Sequence, residues 1–138
     1  MSTTQNINFE TITFIDSKAA QSRPDFYMPV TLNINAVLKS WQFSVFSFEW
    51  INKDASVKPL DALKERDQQK RQAVENAINN NEPIEKPVLG LGIQDTIEIG
   101  SGKAVLCTLA ALGIQTIPVH IPKSNESDFK DLMAEVNS

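Results

Sequence analysis

The spacing of apolar side chains along the chain changes repeatedly between two and three-to-four, and each change marks an element. Residues 7–15, INFETITFI, place Ile7 and Phe9 and then Ile12 and Phe14 at a period of two whose phase shifts near Thr11, which predicts a strand with a bulge. QSRPDFYMP, with two prolines, reads as a loop, and VTLNI then alternates at Val30, Leu32 and Ile34 as a second strand. Trp41, Phe43 and Val45 alternate, followed by Phe46, Phe48 and Trp50 on the opposite parity, so residues 41–50 read as one long bulged strand. Such aromatic density fits a strand with two differently packed faces. The alternative is a stacking platform for single-stranded nucleic acid, flanked only by Lys39 and Lys53.

Pro59 to Asn80 reads as a helix, with Pro59 in its first turn, apolar positions at Leu60, Leu63, Val74, Ala77 and Ile78, and an asparagine run to stop it. Its middle mixes Lys64, Arg66, Lys70 and Arg71 with Asp61, Glu65 and Asp67, which predicts a solvated, ion-paired face. At the carboxy end Phe129, Leu132, Met133 and Val136 fall at i, i+3, i+4 and i+7, a short amphipathic helix over 125–136 with Ser124 or Asn125 as cap.

Between these helices lies the most regular stretch. Val88 to Leu91 and Thr96 to Ile99 read as strands joined around Gln94 and Asp95, and a Gly-Ser-Gly-Lys turn opens a helix over about 103–112. That helix is apolar nearly all round, from Ala104 to Leu112 with only Thr108 and Lys103 polar, so other elements must cover it. Gly113 ends it as a left-handed cap, and Thr116 to Ile121 returns as a strand. The whole predicts an α+β fold, a single domain over 1–138 with a mixed sheet and about three helices on it.

The turn carries the clearest chemistry. Gly100 and Gly102 permit close backbone approach, Ser101 and Lys103 complete it, and the amides that begin a helix are free to meet an anion. It is not a Walker loop, because Ile97 stands where the first glycine is required and Ala104 where Ser or Thr is. A tight strand-to-helix turn without a ligand is the other reading. Asp95 and Glu98 flank the turn as nonspecific carboxylates for a divalent ion, His120 reads as a surface or edge histidine, and Cys107 as an inert core residue.

Charge and composition narrow the classes. The 138 residues carry a formal net charge of −4, so the overall field repels nucleic acid unless basic groups gather on one face. One cysteine excludes an internal disulfide, and with one histidine there is no zinc-ligand spacing; no metal site is expected. Apolar runs fall short of the roughly 20 residues of a membrane span, and the amino terminus lacks a leader pattern, so a cytoplasmic protein without a membrane partner is expected.

Gly102-Lys103-Ala104-Val105-Leu106, then Gly113, then Ile117-Pro118-Val119, resembles the glycine turn, helix and "IPV" strand of ParB-like amino-terminal domains, the ParB/sulfiredoxin-type fold. Upstream, Asp61 to Asn80 followed by Pro83-Ile84-Glu85-Lys86-Pro87-Val88 is similar to the helix and strand before that turn, so the resemblance spans residues 57–122. It implies a module of plasmid, phage or other mobile-element origin that binds a nucleotide or nucleic-acid phosphate at Gly100, Ser101, Gly102 and Lys103, with nucleotide as its only cofactor-like ligand. The chain departs from the family in having one basic residue in the turn. It has no later Glu-Asn…Arg motif, and Cys107 lies in the helix, so neither clamp-type nucleotide hydrolysis nor sulfiredoxin chemistry is implied. The alternative is a non-catalytic protein-interaction or inhibitor protein, anti-defence for example, on the same scaffold. An enzyme would have only Asp95, Glu98 and His120 to work with.

Overall fold

The computed structural model describes residues 12–45, 47–92 and 95–133. The fold is α+β. Strand β1 (Phe14–Ile15) pairs in parallel with β3 (Ile84–Glu85) as a small separate ribbon. The main sheet has the order β2 (Tyr27–Asn33), β6 (Thr116–Pro122), β4 (Val88–Leu91), β5 (Ile97–Ser101). It is mixed: β6 runs antiparallel to β2 from Tyr27↔Pro122 to Asn33↔Thr116 and parallel to β4 at Val88↔His120, while β4 and β5 form an antiparallel hairpin.

Helix α4 (Lys103–Ala111) explains why the other helices lie where they do. Leu106, Cys107, Thr108 and Leu109 are wholly inaccessible, and consecutive residues on a helix point in different directions, so cover is needed on several sides at once. Helices α2 (Ile34–Trp41) and α3 (Glu65–Asn79) pack against it. Leu106 and Leu109 share one core with Leu89, Ile97, Ile117 and Val119 of the sheet. Gly113, at φ +83°, ends the helix as predicted, and the strand after it becomes β6 at the centre of the sheet.

The predicted strand over 41–50 is not formed. The side chain of Asn33 accepts a hydrogen bond from the Ala36 amide at 2.9 Å and starts α2, whose buried residues Ile34, Val37, Leu38 and Trp41 stand at i, i+3, i+4 and i+7. Trp41 closes this helical stripe instead of opening an alternating one. The following segment turns sharply, with a short 3-10 turn at Ser47–Glu49, and is tied to β5 by serines: Ser44 Oγ donates to Glu98 Oε1 at 2.8 Å, and Ser40 Oγ accepts from the Ile97 amide. Trp50 and Ile51 re-enter the core, leaving Phe43, Val45 and Phe48 outside.

Other elements differ at their ends. Part of the predicted loop at 21–29 is ordered, with Ser17 capping α1 (Lys18–Ser22) and β2 beginning at Tyr27. Helix α3 starts six residues after Pro59, because Leu60–Ala62 forms a separate 3-10 turn before it. Instead of an α-helix over 125–136, 3-10 turns occupy Lys123–Asn125 and Ser127–Leu132, and the wholly buried Phe129 docks them. The expected strand residues 7–11, and the tail from 134 onward, lie outside the described residues.

The helical placement of Trp41 is testable. Trp41→Ala is expected to cost about 3–5 kcal/mol of unfolding free energy, whereas Phe43→Ala changes it by no more than about 0.5 kcal/mol. Comparable losses in urea denaturation would restore the strand reading.

Candidate functional site

The turn between β5 and α4 is built by close packing. Gly102 has φ +92°, and a Cβ on it would lie 2.7 Å from Pro87 Cα, so both its conformation and its contact require glycine. A Cβ on Gly100 would meet only the Val88 carbonyl oxygen at 3.4 Å, an ordinary contact. The second glycine is therefore explained by structure alone, as the reading without a ligand required.

The turn is nevertheless open. Gly100, Ser101, Gly102, Lys103, Ala104 and Val105 line one side of a cleft of about 310 Å³, with Trp50 and Lys70 completing its wall. Gly102 provides no side-chain cap for α4. The Leu106 amide is the one that reaches the Gly102 carbonyl, so the Ala104 and Val105 amides come too early for an intrahelical acceptor. They present the positive pole of the helix at the cleft.

Helix α3 sorts its charges in a way the sequence did not predict. Asp67, Arg71 and Ile78 are buried and Val74 is half-buried, at i, i+4, i+11 and i+7, so two residues assigned to a solvated face lie inside. Lys64, Glu65, Arg66 and Lys70 stay exposed. Lys70 lines the cleft, and Lys64 forms an ion pair with Glu49. The hydrogen bond from Lys64 holds the Glu49 carboxyl below its ordinary value, helped by the charges of Lys64, Arg66 and Lys103 and opposed by desolvation. Several cations thus converge beside the turn around one carboxylate. Lys70 and Trp50 could not be assigned to this site from the chain alone, because their placement depends on how α3 and the 42–50 segment pack.

The remaining candidate residues do not assemble with it. Glu98 is held by Ser44, and Asp95 sits in the β4–β5 turn at φ +60°. Among the described residues no three His, Cys, Asp or Glu side chains are grouped for a metal ion. Cys107 is wholly buried, and desolvation pushes its thiol up to about 12, outside the range of a nucleophile.

His120 is neither at the surface nor at an edge. It is 5% exposed on the central strand β6, with Nε2 3.8 Å from Asp16 Oδ1, while Lys86 Nζ lies 3.1 Å from the same oxygen. The short VHIP pattern gave no sign of this, because β6 is flanked on both sides only after β2 and β4 have paired with it. Comparison of the chain with protein-family models, curated proteins and solved structures finds no match.

Burial pulls the His120 imidazole below the ordinary histidine value near 6.5, with Lys86 acting in the same direction and Asp16 against it. The unfolded chain therefore takes up the proton first, so this contribution to stability is complete above about pH 6.5 and declines as pH falls toward the folded value. Urea midpoints across this interval should fall less steeply with acidification in His120→Gln than in the parent, and equal slopes would contradict the assignment. Gly102→Ala is expected to cost about 1–3 kcal/mol in the same assay, from the left-handed backbone and the contact with Pro87 together.

Proposed function

We propose that the protein is a binding module for the phosphate of a nucleotide or nucleic acid, held at the start of α4. The observation that carries this reading is the convergence of Lys70 and Lys103 on an open cleft lined by the Gly100–Lys103 turn and the first turn of α4. Helix-start amides and lysine side chains are the chemistry that phosphate oxygens require. Lys70 and Lys103 bring two basic groups to one cleft of an acidic chain, and such a gathering is the condition that the net charge of −4 sets for this binding. The resemblance of residues 57–122 to ParB-like domains supports the same site, and Lys70 partly replaces the basic residues that the turn itself lacks.

A second reading, a protein-interaction or inhibitor role, is favoured by a different observation. Phe43 and Val45 are each 73% exposed and Phe48 66%, three large apolar side chains within six residues of the loop that leads to the cleft. Apolar groups so grouped are more typical of contact surfaces than of isolated exposed residues.

The two readings separate by mutation. Titration with nucleoside triphosphates and with short single- and double-stranded oligonucleotides in low salt is expected to saturate. Lys103→Glu should weaken binding at least about tenfold, Lys70→Glu should weaken it less, and Phe43→Ser with Phe48→Ser should leave it unchanged. The absence of any saturable signal in the parent protein would sink the phosphate reading.

A further inference from the structure

Arg71 is buried with no counter-ion among the described residues. It is 4% exposed; Nη1 donates to the Lys58 carbonyl oxygen at 2.9 Å, Nε makes no hydrogen bond, and among the described residues no carboxylate oxygen lies within 4.0 Å of the guanidinium. Asp67, one turn earlier on the same stripe, is also buried, but its Oδ2 has no partner and its Oδ1 faces Arg66 Nε at 3.9 Å. A desolvated guanidinium is held at considerable cost unless its charge is compensated, and one carbonyl oxygen uses only one of its five N–H donors.

Arg71 lines a second open cleft, of about 370 Å³, distinct from the one at the turn. Asn35 from α2, the 55–59 loop, Arg71 from α3, and Ala110 and Ala111 from the end of α4 line it. Both charged side chains in its wall, Lys58 and Arg71, are cations. Asn35 belongs to the first turn of α2, whose positive pole adds to them. The last turn of α4 contributes carbonyl dipoles of the opposite sign, which favour a cation there without supplying a carboxylate. Asp54, the nearest acid along the loop, is outside the lining and engages the Ser56 hydroxyl.

We propose that this cleft binds a small oxyanion, a carboxylate or phosphate group, recognised by the guanidinium of Arg71 with Lys58 and Asn35 beside it. One Nη1 N–H meets the Lys58 carbonyl and Nε is enclosed by protein, so the remaining terminal N–H groups are the ones left for the ligand. The guanidinium is positioned before the ligand arrives, and this limits the ordering cost of binding. The site is independent of the phosphate reading at the other end of α4.

Amide-resolved NMR titrations with inorganic phosphate and with acetate, each against sodium chloride at matched ionic strength, distinguish the outcomes. Saturable shifts at Asn35, Lys58 and Ala111 are expected from at least one anion, and the tighter one identifies the ligand group as phosphate or carboxylate. Arg71→Met should abolish those shifts. Because that variant alters the core, Lys58→Glu provides a second arm: it keeps the backbone carbonyl and should weaken binding about tenfold with the spectrum otherwise intact. Shifts confined to residues 102–105, shifts unaffected by Lys58→Glu, or no saturable shift from either anion would each overturn the proposal.

Discussion

The need to cover α4 on several sides organises the molecule. A helix whose Leu106, Cys107, Thr108 and Leu109 are all inaccessible cannot lie on a sheet with its back to water, so α2 and α3 are recruited around it. Its start is fixed by Gly102 against Pro87 and its end by Gly113, which hands the chain to the central strand of the sheet. The two clefts that carry chemical interest lie at the start and at the end of this helix.

Helix α3 shows how the same constraint distributes charge. It carries too few apolar residues to make a full hydrophobic stripe, so its inward positions include Asp67 and Arg71 as well as Val74 and Ile78. The outward residues Lys64 and Arg66 then gather around Glu49, and Lys70 reaches the turn. A charge run that cancels when summed along the chain becomes, once wound and packed, a buried arginine on one side and a cluster of lysines on the other.

The 33–51 segment shows how a regular pattern can mislead. Its aromatics alternate well enough for a strand, yet Ile34, Val37, Leu38 and Trp41 also fit a helical stripe, and Asn33 supplies the cap. The helix prevails because it places Trp41 in the core, whereas a strand over 41–50 would have had to bury Phe43, Val45 and Phe48 as well. Short apolar runs satisfy both periods, and tertiary burial chooses between them.

By itself the sequence determined what depends on local chemistry: the hairpin of β4 and β5, the glycine turn, the all-apolar helix with its left-handed stop, the strand after it, and the inertness of Cys107. These are legible because glycine conformation, apolar content and period act over a few neighbouring residues. Only the tertiary structure decided that His120 sits in a central strand, that Arg71 is buried with no carboxylate of the described residues beside it, and that Lys70 and Trp50 join the turn at a cleft. Each of these depends on which distant elements pack together, and burial and charge environment are properties of that packing.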